Sequence, residues 1–270
     1  MRARFQWFLG SALLLAGSRL LPAQASTLYL TGEGYRYTLQ GGVLASNGPA
    51  VRNGCELPIA VSGDVRTLGC NALSQGAQYT LGGSYTGTNY DPFPLGALGC
   101  TGDGTTDGTN NYLTGACGGG VFSTDRSWGG LTGLFSTGAV LGITYDPRNN
   151  SLWVSPFNGS GQITDYAMDG TPLFSLSTGI SGLASLAYDP ADQSLWFFDR
   201  NTVGTSETFY QYSTSGDRLS SQNHADVNLD FFGGEFEEGS SAPEPDSVFL
   251  LATGLAGLGA ALRRRRAVRP

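Results

Sequence analysis

The chain has 270 residues, with 15 Arg, no Lys, one His and 22 carboxylates, for a net charge of −7. Without Lys there is no Schiff-base or P-loop chemistry, and one His excludes a multi-His metal site. Eight Arg lie at the two ends, so residues 26–242 keep seven Arg against 20 carboxylates, net −13, a surface that repels phosphate backbones and argues against nucleic-acid binding.

In chain order, Met1-Arg-Ala-Arg4, an apolar run from Phe5 to Leu15 and the small residues Ala23 and Ala25 form the three parts of a secretory signal. They predict a signal peptide over 1–25, cut after Ala25, with Arg19 leaving a second boundary open. Residues 26–238 are then the extracellular domain. Forty-one Gly with 14% charged and 11% aromatic residues suit short strands joined by tight turns, and roughly 215 residues are enough to bury a core.

The Gly-rich stretch 50–120 holds all four Cys. Three pairings are formally open, and proximity selects Cys55 with Cys70 and Cys100 with Cys117, each closing a loop worth roughly 3 kcal/mol in the loop-entropy model. Zinc is a poor fit, since no Cys-x-x-Cys occurs and His is nearly absent. Inside the second loop, Gly102-Asp-Gly-Thr-Thr-Asp-Gly-Thr-Asn-Asn-Tyr112 reads first as turns. Its alternative is a calcium site with Asp103, Asp107 and Asn110 as oxygen donors.

An internal repeat follows. Gly142-Ile-Thr-Tyr-Asp-Pro-Arg-Asn-Asn-Ser-Leu-Trp-Val-Ser155 lies over Ser185-Leu-Ala-Tyr-Asp-Pro-Ala-Asp-Gln-Ser-Leu-Trp-Phe-Phe198, with both Asp146 to Asp189 and Trp153 to Trp196 spaced by 43. Each copy reads as strand, Asp-Pro turn, strand. Gln162–Ser175 aligns with Phe209–Ser220, Tyr35–Ser46 follows the same template, and Leu134-Phe-Ser echoes Leu173-Phe-Ser. A period near 43 with several strands per unit predicts an all-β propeller of about five blades, closed by an N-terminal hairpin that completes the last blade. Because residues 50–120 match the repeat poorly, an irregular β-sandwich is the alternative. The repeat Trp and Tyr are assigned to blade cores.

Residues 239–247 form a linker containing Pro243, Glu244 and Pro245. An apolar segment over 248–262 and an Arg-rich tail over 263–270 follow. Fifteen helical residues span roughly 22 Å against a ~30 Å hydrocarbon core, a marginal crossing that Arg263, Arg264, Arg265 and Arg266 fix by their cytoplasmic side. A plain tail anchor is one reading. These three features in this order resemble the PEP-CTERM sorting signal of exopolysaccharide-producing Gram-negative bacteria. The resemblance implies export through the secretion machinery, an inner-membrane anchored precursor, and cleavage near Pro-Glu-Pro by an exosortase. The loop at 102–112, the Tyr-Asp-Pro hairpins and Gly233-Gly-Glu-Phe236 resemble extracellular domains of PEP-CTERM proteins, which carries no established activity with it.

No catalytic residues are assigned. There is no Gly-x-Ser-x-Gly elbow, the paired Cys leave no thiol nucleophile, and the lone His224 is expected at the surface. The chain reads as a non-catalytic surface or matrix protein binding a partner or exopolysaccharide. The alternative is a secreted polysaccharide-active hydrolase or lyase using one carboxylate pair.

Overall fold

A computed structural model describes residues 26–52, 54–70, 75–91, 98–157, 159–225 and 227–237. The predicted signal peptide with Ala23 and Ala25, and the predicted linker, membrane helix and Arg tail, lie outside the described residues.

Twenty strands form five four-stranded antiparallel sheets, with no α-helix among the described residues. Blade 1 contains β1 (Thr27–Gly32), β2 (Tyr35–Gln40) and β3 (Val43–Pro49). Blade 2 is β4 (Glu56–Val61), β5 (Val65–Gly69), β6 (Gly76–Tyr79) and β7 (Tyr85–Tyr90). Blade 3 is β8 (Thr101–Thr106), β9 (Asn110–Gly115), β10 (Val121–Asp125) and β11 (Thr132–Phe135). Blade 4 is β12 (Val140–Asp146), β13 (Ser151–Pro156), β14 (Gln162–Ala167) and β15 (Pro172–Ser177). Blade 5 is β16 (Leu183–Asp189), β17 (Ser194–Asp199), β18 (Thr208–Ser213) and β19 (Arg218–Asn223). The last strand, β20 (Phe231–Phe236), returns to pair with β1 and becomes the innermost strand of blade 1. The closing blade therefore takes three strands from the start of the domain and one from its end. This is a larger N-terminal share than the expected hairpin, and it removes the open sheet edge that an unclosed ring would leave.

The innermost strands β20, β4, β8, β12 and β16 pack around the axis, and their burial patterns are nearly continuous, as strands covered on both faces must be. Neighbouring blades are stitched by buried threonines. The Thr105 hydroxyl accepts the Tyr145 N–H at 3.0 Å, and the Thr144 hydroxyl accepts the Tyr188 N–H at 2.9 Å. The aromatics of the repeat pack between sheets: Trp153 joins Ile163, Leu186, Leu195 and Phe197 in one core, while Phe198, Phe209 and Phe231 bridge blade 5 to β20.

The turns follow the repeat. Asp146 accepts the Arg148 N–H and Asp189 accepts the Ala191 N–H, both at 2.9 Å, the side-chain-to-backbone bond that makes Asp-Pro a turn former. Residues 50–120, which matched the repeat poorly, nevertheless build all of blade 2 and the inner half of blade 3. Blade 2 replaces the Trp with a polar cluster. Buried Glu56 accepts the Tyr79 hydroxyl at 2.7 Å, the Thr67 hydroxyl and the Arg52 N–H, while the Arg36 guanidinium lies 3.4 Å from the centre of the Tyr79 ring.

Both disulfides form as the spacing predicts. Cys55–Cys70 has a Cα separation of 5.6 Å and Cys100–Cys117 one of 5.2 Å. Each clamps the entry of an innermost strand to the exit of the strand beside it, at the end of the blade away from the Asp-Pro turns.

Candidate functional site

Asp103, read from the sequence as part of a turn, lies instead inside β8 and is wholly buried on the propeller axis. The cause is a bulge. The ladders between first and second strands of blades 2 to 5 all shift register at the same place, at Glu56/Ile59, Thr101/Gly104, Val140/Ile143 and Ala184/Ala187. Each innermost strand also has an edge that no further strand of its sheet covers, and a buried N–H there needs an acceptor. The Asp103 carboxylate collects them: Gly104 N at 2.8 Å, Gly234 N at 3.0 Å, Ile143 N at 3.4 Å, and the Leu186 N–H. One side chain thus holds the innermost strands of blades 1, 3, 4 and 5. Burial pushes its carboxyl well above the usual range, against the downward pull of these N–H groups.

Asp107 lies at the β8–β9 turn with its own partners. It accepts the Thr109 N–H at 2.7 Å, the Asn110 N–H at 2.6 Å and the Tyr112 hydroxyl at 2.6 Å. Burial pushes Asp107 up, but these hydrogen bonds outweigh it and leave the carboxyl below its ordinary value. The structure thus places Asp107 and Asn110 together and gives Asp103 a separate set of partners. Among the described residues no three His, Cys, Asp or Glu side chains converge as a metal would require.

A ligand-sized concavity with unmet polar groups lies at the seam between blades 1 and 5. A cleft of about 360 Å³ opens on the face carrying the Asp-Pro turns, lined by Ser26, Asp189, Asp192, Trp196, Gln211 and Gln222 among others. These residues come from the segment before β1, the β16–β17 turn and strands β17, β18 and β19, so only ring closure assembles them. Trp196 is half-buried, with its ring edge-on to Phe236 at a centroid distance of 6.3 Å. Its indole Nε1–H and the Gln222 amide oxygen are shielded from solvent and lack a hydrogen-bond partner. Asp192 accepts the Gln211 amide at 2.8 Å, and Asp189 accepts the Ser26 hydroxyl at 2.9 Å. Burial raises the Asp189 carboxyl, opposed by its bonds from Ala191 and Ser26. A wider depression of about 650 Å³ includes Arg200, Asn201 and Ser181, but there Arg200 pairs with Asp230 at 2.8 Å and Asn201 donates to Ser181 at 3.0 Å. Its polar groups are already engaged.

Trp196 packs against the core that contains Phe198 and Phe236 and also faces the cleft, whereas Trp153 is buried within its core. The signal was in the alignment: Asp146-Pro-Arg148 becomes Asp189-Pro-Ala191, which removes a cation beside the second Trp. His224 is half-buried, with its ring edge-on to Phe209 at 5.9 Å.

Comparison with known proteins supports the fold and the tail. A chain in the crystal structure of a nidogen/laminin complex superposes with a TM-score of 0.54 at 13% identity, covering 78% of this chain and 98% of that one. A structural-genomics protein of unknown function from Bacteroides thetaiotaomicron superposes with a TM-score of 0.52 at 11% identity, over 75% of this chain and 59% of that one. At such identities the likeness shows the fold alone. No curated protein matches the chain. Residues 241–266 match the PEP-CTERM protein-sorting motif, which implies an exported, membrane-anchored precursor processed by an exosortase. The chain is a five-bladed β-propeller protein that carries a PEP-CTERM protein-sorting motif behind its propeller.

Proposed function

We propose that the propeller, residues 26–238, is the working part of a non-catalytic cell-surface or extracellular-matrix protein, and that it binds exopolysaccharide at the seam cleft. The observation that carries the reading is the cleft's composition. A half-buried indole, an unpaired indole N–H, an unpaired amide oxygen and two carboxylates surround one concavity. Sugars present alternating C–H faces and hydroxyls, so an aromatic ring beside mixed donors and acceptors suits them, and groups left unpaired in the free protein gain most from a ligand that pairs them.

Exposure of the processed protein to immobilised native exopolysaccharide should retain it, and Trp196→Ala should weaken retention at least about tenfold, roughly 1.4 kcal/mol. Turnover of labelled polysaccharide, lost on changing one carboxylate pair, would replace the binding reading with the hydrolase or lyase one.

The tail is read as an address. The Pro243-Glu244-Pro245 motif and the Arg block act as substrate features for the exosortase, after which the propeller reaches the cell surface, outer envelope or matrix. Replacing Arg263, Arg264, Arg265 and Arg266 with Gln should leave an uncleaved precursor and change its fractionation, because the charge block that fixes the segment's cytoplasmic end is gone. Unchanged mobility and fractionation would count against this role.

A further inference from the structure

Blades 4 and 5 end their innermost strands on the same Tyr-Asp-Pro turn, yet the two aspartates are neutralised differently. In blade 4, Arg148 pairs with Asp146 at 2.8 Å, its Nε donates to the other carboxylate oxygen at 3.1 Å, and the Trp153 indole N–H points at the same group at 3.5 Å. In blade 5 the position of Arg148 is Ala191. Asp189 is buried and accepts the Ala191 N–H and the Ser26 hydroxyl, each at 2.9 Å. No Arg lines the cleft, and Asp192 stands beside Asp189 as a second carboxylate. A buried carboxylate with no counter-charge is costly, and an opposite charge within a few ångströms relieves that cost.

The residue that fills the gap is the first residue of the predicted mature chain. We propose that removal of the signal peptide supplies the missing cation, with the new α-ammonium of Ser26 pairing with Asp189 as Arg148 pairs with Asp146. Hydrolysis of the Ala25–Ser26 bond consumes one water. The hydroxyl goes to the Ala25 carbonyl carbon, which leaves as a carboxylate, and the Ser26 nitrogen becomes an amine that is protonated at neutral pH. Staggered geometry holds that nitrogen roughly 3–4 Å from its own hydroxyl oxygen, which already touches Asp189, so the charge arrives beside the carboxylate without moving the chain. Because β1 pairs with both β20 and β2, this ion pair ties the closing blade to blade 5 across the seam, and it adds a donor to the cleft. The propeller is therefore completed by its own processing. The inference rests on the export reading, through the cut after Ala25, and is independent of which ligand the cleft takes.

The absence of Lys makes the test clean, because the α-amine is the one primary amine in the chain. The exported, processed protein is divided into three portions: untreated, acetylated at the α-amine so that the charge is lost, and reductively dimethylated so that the charge is kept. Acetylation should lower the melting temperature by roughly 2–4 °C, dimethylation should leave it unchanged, and in Asp189→Asn acetylation should have no effect. Equal melting of the acetylated and dimethylated wild-type protein would overturn the proposal even if Asp189→Asn failed to fold. So would an acetylation effect that persists in Asp189→Asn. N-terminal sequencing separates the two readings: a first residue other than Ser26 overturns the predicted cut and this proposal with it, whereas a Ser26 terminus without a charge effect overturns the ion pair and leaves export standing.

Discussion

Asp103→Ala should cost the protein about 3–5 kcal/mol, enough to lower its melting temperature by roughly 10 °C or more. The carboxylate accepts N–H groups from Gly104, Ile143, Leu186 and Gly234, all on innermost strands around the axis. Alanine leaves all of them buried without an acceptor, at the one point where four of the five blades meet. A domain of this size has total stability on the order of 5–15 kcal/mol, so the loss is a large share of it.

The same residue gives the fold a pH signature. Burial raises the folded-state pKa of Asp103 above its value of about 3.9 in the unfolded chain, so between those two values the folded state binds more protons. Its contribution is complete below about pH 4 and declines as pH rises through the folded pKa. Asp103→Asn has no proton to lose, so the wild type should lose stability relative to it as pH rises from about 4. Parallel curves for the two proteins in denaturant titrations across that range would show that burial does not control this group. Asp165 and Asp189 are raised by burial as well and add the same slope to both proteins, which the difference removes.

Gly233→Ala should open the ring at its closing strand. A Cβ at this position would lie 2.0 Å from the Leu57 carbonyl oxygen and 2.2 Å from the Thr31 hydroxyl, so β20 cannot keep its place between blade 2 and β1. Backbone atoms cannot swing aside as a flexible side chain does, and overpacking of this kind costs at least roughly 1–3 kcal/mol. Gly82→Ala is the matched control, since its nearest neighbour would be the Thr80 hydroxyl at 3.8 Å. Thermal melts with limited proteolysis should show Gly233→Ala cut early near the seam and Gly82→Ala unchanged. Equal protection of the two would mean that β20 is not what closes the propeller.

These residues also show how far the sequence carried the reading. Blades 4 and 5 were legible because they repeat a side-chain program: Tyr-Asp-Pro for the turn, then Leu-Trp for the next strand. Blade 2 was not, because it substitutes Glu56, Thr67 and Tyr79, with Arg36 of blade 1 over the Tyr79 ring, for that program, and a hydrogen-bonded cluster has no periodic signature. The disulfides were readable from spacing alone. Asp103 was singled out by its setting among glycines, but glycine next to a carboxylate is as much the mark of crowded backbone at an axis as of a cation loop. The seam cleft was hidden for a topological reason, since Ser26 lies more than 160 positions from Asp189, the separation that ring closure brings together.

The central claim, that the seam cleft is the binding site, is tested most directly by the Trp196 indole N–H signal in a ¹H–¹⁵N spectrum of the processed protein titrated with soluble exopolysaccharide fragments. Residues 26–270 contain three Trp, of which Trp128 and Trp153 are buried, and Trp196→Phe assigns the third signal. The account predicts a saturable shift of the Trp196 resonance, because that N–H has no partner until a ligand supplies one. A ligand that binds while the Trp196 signal stays still, or no shift anywhere at saturating fragment, would contradict it.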